Sequence, residues 1–144
     1  MRQIFCFIAI TIVIILANAG NAFAQNQAEG YYKNGKLIEI KDLLWGEENC
    51  SESYKRYAGT VSSVQLTGGG QIDNFTLKTA KGAVKIYLSP SLYAERLSKA
   101  DANALPKLIA KGKRITVDTQ RCSGTKKIVT AAYIIAGIHL DVLG

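Results

Sequence analysis

The 144-residue chain contains a single histidine and three cysteines, and this scarcity removes most of the chemistry a small protein can carry. Once two cysteines are oxidised, His139 alone cannot complete a zinc site of Cys and His ligands. No Ser-His-Asp arrangement is readable, because His139 lies in the apolar run Ile138-His139-Leu140, where a strand-edge or tail role is expected. Gly68-Gly69-Gly70 lacks the following Lys-Ser/Thr pair of a phosphate cradle and reads as a loop. Glu47 and Glu48 are adjacent, with no matching partner for acid–base work. Internal repeats, low-complexity stretches and polybasic runs are all missing. The expectation is therefore a protein that is not an enzyme, with no catalytic residue, no metal and no cofactor.

What is present begins with an export signal. Arg2 supplies a positive start, Ile4 to Ala17 is almost entirely apolar, and Ala22-Phe23-Ala24 places small residues where signal peptidase accepts them. The apolar run is short for a membrane span, which needs about 20 residues, although retention as an uncleaved anchor is the alternative. No small residue-Cys lipobox closes it. Cleavage after Ala24 would remove Cys6 and leave residues 25–144, a length suited to one domain with a modest core. A periplasmic or secreted location follows.

Beyond Ala24 there are 17 basic and 11 acidic residues, a net charge of +6. This balance favours anionic partners such as nucleic acid, lipopolysaccharide, sialylated glycan or acidic phospholipid; the alternative is ordinary solubility charge. Cys50 and Cys122 form an even pair in an exported chain, where oxidation is the default, so a structural disulfide is expected. The rival, two separate thiols with one acting as nucleophile, has no base to serve it.

The chain pattern is one of short strands. Residues 25–50 read as an N-terminal extension: a polar start, a hairpin signal at Asn34-Gly35, and one or two helical turns around Leu43-Leu44-Trp45. Tyr31, Tyr32 and Trp45 are expected to pack within it. Tyr57 to Leu66 is a long first strand whose alternation slips between Val61 and Val64, the signature of a bulge or bend. Phe75–Lys78 and Val84–Leu88 form a second and third strand. Ser89-Pro90 reads as an N-cap and first-turn proline, predicting a helix over about 90–101 and a separate short turn at 105–109. Ile115–Thr119 and Ile128–Ile135 complete the set, with Ala136–Gly144 as an extension or apolar tail. The order β-β-β-α-β-β with a bent first strand predicts an all-β domain with one helix, a five-stranded OB-fold barrel over residues 51–144.

Two resemblances accompany this order, over about residues 40–135. Asp42-Leu43-Leu44, Tyr54 to Val61, Leu105-Pro106-Lys107-Leu108 and Gly112 to Val117 resemble the tRNA-anticodon-type OB modules. Asp118-Thr119 stands where those modules often carry glycine. That resemblance implies nucleic-acid binding, although exported relatives often have no known ligand. Cys50 after the Leu43-Leu44-Trp45 turn, with Cys122 before Ile128-Val129-Thr130, is similar to the B subunits of pentameric bacterial toxins. Those are exported OB-folds that bind cell-surface glycans, and some tie an N-terminal helix to the last two strands by one disulfide. Their receptor-binding motif is not present residue for residue.

OB-folds generally bind ligands on the outer face of their second and third strands and the flanking loops. If Phe75, Leu77, Val84, Ile86 and Leu88 point inward, then Thr76, Lys78, Lys85 and Tyr87 share that outer face. Arg121, Lys126 and Lys127 lie near one flanking loop, and Gln71 and Asn74 near the other. A tyrosine among lysines can stack a base or sugar ring while the ammonium groups hold an anion; the alternative is the solvated side of an amphipathic sheet. Asn49-Cys50-Ser51 and Asn74-Phe75-Thr76 match glycosylation sequons, relevant only in a eukaryotic secretory pathway. The expectation is a non-catalytic binding protein for a glycan, an envelope polyanion or a partner protein. The alternatives are an extracytoplasmic nucleic-acid binder and a structural subunit of an envelope or ring complex, homo-oligomeric through an Ile134–Leu143 interface.

Overall fold

The computed structural model of the protein describes residues 27–44, 50, 55–122 and 129–139. The signal segment, Trp45, the Glu47-Glu48 pair, Lys126 and Lys127 lie outside the described residues. Strand β1 (Glu29–Lys33) turns into β2 (Lys36–Lys41) through Asn34 and Gly35, whose φ values of 50° and 72° are the left-handed pair of a two-residue hairpin. Five further strands follow: β3 (Lys55–Leu66), β4 (Ile72–Thr79), β5 (Gly82–Tyr87), β6 (Arg114–Arg121) and β7 (Val129–Ala136). Helix α1 (Lys99–Leu108) lies between β5 and β6.

The last five strands close on themselves in the order β3-β4-β5-β7-β6-β3. All neighbours are antiparallel except β5 and β7, which are parallel. This closed barrel, with its helix between the third and fourth barrel strands, has the OB-like arrangement that the strand order predicts. Closure depends on β3, which pairs with β6 through residues 55–60 and with β4 through residues 60–66. The strand must bend to serve both neighbours, and two residues allow it. A Cβ on Gly59 would lie 2.2 Å from the Lys78 carbonyl oxygen, so only glycine permits the close crossing of β3 and β4. The ladder then skips Ser62, between Val61 opposite Leu77 and Ser63 opposite Thr76, and the Ser62 hydroxyl donates to the Thr76 carbonyl at 3.1 Å. The slipped alternation in the sequence marks this bulge.

Alternation along the other strands buries one face in a single core. Phe75, Leu77, Ile86, Leu88, Ile115, Val117 and Ile134 point inward, and α1 adds Leu105 and Leu108. Each such side chain contributes about 1.5–3 kcal/mol through removal from water. Tyr93 joins the core from the segment before the helix and accepts the Ile72 N–H at 3.0 Å; burial raises its pKa above the ordinary value.

The N-terminal segment is part of this sheet. Its β2 pairs antiparallel with β7, Ile40 opposite Ile134 and Glu39 opposite Ile135, and Leu37 and Ile40 are buried in the barrel core. The parallel seam between β5 and β7 has one ladder pair, Tyr87 with Thr130. Further along β7, Leu43 donates its N–H to Ala132 at 3.1 Å, and then β2 takes over. The extension thus covers the edge of β7 that β5 leaves open. Leu43 and Leu44 are both buried, in a turn rather than a helix.

Three expectations need correction. The helix spans Lys99–Leu108, not 90–101, and residues 105–108 belong to it instead of forming a separate turn. Its N-cap is Ser98, which accepts the Asp101 N–H at 3.1 Å, whereas Leu92–Arg96 makes one π-type turn closed by Leu97 N–H to Leu92 O. Pro106 sits in the last turn of the helix, where its missing N–H removes only one bond. Tyr31 does not pack: it is 60% exposed. Finally, Ile134 is fully buried, so it forms no part of an exposed interface. Residues 137–139 instead fold back on β6, where Thr116 bonds the Gly137 carbonyl and the His139 N–H.

Cys50 and Cys122 sit opposite one another in an isolated antiparallel bridge at disulfide distance. They lie beyond the Lys55–Thr119 end of the β3–β6 ladder, and the pair is compatible with an oxidising, extracytoplasmic compartment.

Candidate functional site

The β4–β5 hairpin builds the outer face that the alternation predicts. Ladder register sets Lys85 opposite Thr76, Tyr87 opposite Asn74, and Lys78 opposite Ala83. On the other side of β4, Ser63 lies opposite Thr76 and Gln65 opposite Asn74. Two polar rungs therefore cross three strands: Ser63–Thr76–Lys85 and Gln65–Asn74–Tyr87. Lys78 and Lys85 are exposed, Thr76 and Tyr87 half-buried. The Lys85 ammonium stands 5.7 Å from the centroid of the Tyr87 ring, within cation–π range.

The second rung is held rigid from below. Asn74 is buried and donates its amide to Gln65 Oε1 at 2.9 Å and to Asp73 Oδ2 at 2.7 Å. This burial removes Asn74 from any role as a glycan acceptor. Ser63, Gln65 and Asn74 were not among the expected face residues on β3 and β4. Ser63 and Gln65 become readable only once the bulge at Ser62 resets which residues of β3 face outward, whereas Asn74, expected beside the flanking loop, follows from the alternation of Phe75 and Leu77 on β4. Gln71 lies in the adjoining loop, where its N–H meets Thr67 Oγ1 at 3.3 Å and its carbonyl accepts the Thr67 N–H at 2.7 Å.

Arg121 is exposed at the end of β6, opposite Val129. The row Tyr87–Thr130–Gln120 places that end of β6 across β7 from the end of β5, so Arg121 lies at the same end of the barrel as Tyr87 without sharing its face. Of the expected residues, Thr76, Lys78, Lys85 and Tyr87 are thus together.

The opposite side of the barrel is different in kind. Arg56 forms a two-pronged pair with Asp118, at 2.6 Å and 2.8 Å. Tyr133 bonds Glu39, which also holds Lys41 at 3.0 Å. Burial, then the Glu39 hydrogen bond, pushes the Tyr133 pKa up to about 12, and the bond to Glu39 raises that of Lys41. These contacts link side chains of four strands. On the β4–β5 face, neither Lys78 nor Lys85 has a carboxylate within ion-pair distance among the described residues.

Among the described residues no group of three or more His, Cys, Asp or Glu is placed to hold a metal ion, and no helix is long and apolar enough to cross a membrane. His139 is exposed, with Nε2 3.0 Å from the Ala136 carbonyl. No family model, curated protein or solved structure matches the chain.

Proposed function

We propose that this protein is an exported, non-catalytic binding module of the OB-fold superfamily, whose β3–β4–β5 face takes an anionic envelope ligand, foremost a charged glycan. The observation that carries this reading is the asymmetry of charge. Lys78, Lys85 and Tyr87 share one wall of the barrel, Lys85 stands over the Tyr87 ring, and neither lysine has a carboxylate within ion-pair distance among the described residues, whereas across the barrel Arg56 pairs with Asp118 and Lys41 with Glu39. Such a face offers an aromatic surface to a sugar ring and ammonium groups to a carboxylate, sulfate or phosphate. Thr76, Ser63 and Gln65 add hydroxyl and amide hydrogen bonding. The signal-like N-terminus and the cysteine pair support action outside the cytoplasm, as in the toxin B subunits whose cysteine placement this chain resembles.

Binding of the purified protein to arrays of anionic glycans and lipopolysaccharides tests the proposal. The double variant Lys78→Ala/Lys85→Ala is expected to bind roughly tenfold more weakly, equivalent to about 1.4 kcal/mol, with Tyr87→Ala also weakened. Selective binding to oligonucleotides, with affinity falling steeply between low and moderate salt, would favour the nucleic-acid reading instead. Silence on both arrays and in pull-downs from envelope extract would refute a ligand-binding role for this face.

A further inference from the structure

The five barrel strands close on one another, β5 meeting β7 only at Tyr87, and the added hairpin brings a further edge. Among the described residues β1 pairs with β2 alone and ends the sheet. Unpaired edges are templates for another strand. This one is bounded at both ends: the Ala28 N–H, directed away from β2, is taken by the Arg96 carbonyl at 3.0 Å, and the Asn34-Gly35 turn follows Lys33. Five residues, Glu29–Lys33, remain open. By the alternation of an antiparallel ladder, Gly30 and Tyr32 turn their backbone groups the same way as Ala28, toward the open edge.

The side chains sort equally cleanly. Tyr32 and Gly30 face α1: the Tyr32 hydroxyl donates to Asp101 Oδ1 at 2.6 Å, and a Cβ on Gly30 would collide with the same carboxylate. Burial, reinforced by this bond, pushes the Tyr32 pKa up to about 12. Glu29, Tyr31 and Lys33 are left on the outer face, all exposed, and Tyr31 is among the most exposed large apolar side chains described.

We infer that β1 is a homodimerisation strand, pairing antiparallel with β1 of a second copy about a two-fold axis through Tyr31. The choice of occupant rests on self-complementarity. In that register Glu29 stands opposite Lys33 of the second copy and Lys33 opposite its Glu29, while Tyr31 meets Tyr31 at the axis. Opposite-charge cross-strand pairs and aromatic pairs each stabilise a ladder, and an isologous contact repeats each one twice. The same register makes Gly30 and Tyr32 the hydrogen-bonded rung. A parallel or shifted pairing loses these matches and brings like charges closer. The strand is short, so the dimer is concentration-dependent rather than obligate.

Sedimentation velocity on protein purified from expression of the whole chain tests this, without reference to the proposed ligand face. The dimer fraction is expected to rise from micromolar to millimolar protein. Glu29→Lys should shift the midpoint at least several-fold toward monomer, and Glu29→Lys/Lys33→Glu should restore it. Tyr31→Cys should form a covalent dimer on mild oxidation, while Lys36→Cys, across the hairpin, should not. A monomer at all concentrations, a dimer indifferent to the charge reversal, or failure of Tyr31→Cys to cross-link would overturn the inference.

Discussion

Gly59 shows how a single residue can govern closure. Its backbone crosses β4 so closely that a methyl group would sit 2.2 Å from the Lys78 carbonyl. Gly59→Ala is therefore expected to cost about 2–3 kcal/mol through overpacking, with a fall in Tm of roughly 10 °C. Gly69→Ala, with its nearest neighbour atom at 3.8 Å, should leave thermal unfolding nearly unchanged. Equal effects at both sites would show that the bend does not depend on this contact. The bulge at Ser62 was legible because it disrupts a period of two. The need for Gly59 was not, since a glycine in a strand announces no particular neighbour. Tyr31 and Tyr32 make the same point: adjacent aromatics look alike in sequence, but one docks on Asp101 and the other faces water.

Elements differ in how much they reveal. The Asn-Gly hairpin and the barrel strands could be read from turn chemistry and alternation, because both depend on near neighbours. Helix α1 was misplaced by reading Ser89-Pro90 as its start, although Ser98-Lys99-Ala100-Asp101 carries a start signal that the observed cap uses. That β2 would join β7 was not readable, since strand pairing at this sequence separation leaves no local mark. This pairing has a measurable consequence. Ile40 is fully buried against Ile134, so Ile40→Ala is expected to destabilise the whole barrel by about 3 kcal/mol in one cooperative transition. Calorimetry showing an unchanged main transition, preceded by a small separate one, would mean that the hairpin folds as an adjunct.

At the scale of the molecule, the Cys50–Cys122 pair spans 72 positions and anchors the corner where β3 and β6 begin to pair. Replacing both cysteines by serine is expected to remove about 4 kcal/mol in the chain-entropy view, lowering Tm by roughly 15 °C. Thermal scans of the oxidised, reduced and double-serine proteins would check this, and a loss under about 1 kcal/mol would assign that corner to the β-ladder alone. The whole molecule also joins the two proposed surfaces. The β4–β5 face lies on the barrel wall and the β1 edge on the added hairpin, so dimerisation would present two basic faces and favour multivalent ligands through avidity.

Composition, alternation and turn residues by themselves determined the strand-rich character, the five barrel strands, the bend in the first of them and the placing of Thr76, Lys78, Lys85 and Tyr87 on one face. These properties depend on the period of a strand and the φ preferences of a few residues, both of which are local. Only the tertiary structure decided that the N-terminal hairpin completes the β7 edge, and that Arg56 meets Asp118 across one wall while Lys78 and Lys85 meet no carboxylate on the other. Each of these depends on residues far apart in the chain meeting in space, and on which buried donors and carboxylates the closed barrel leaves satisfied.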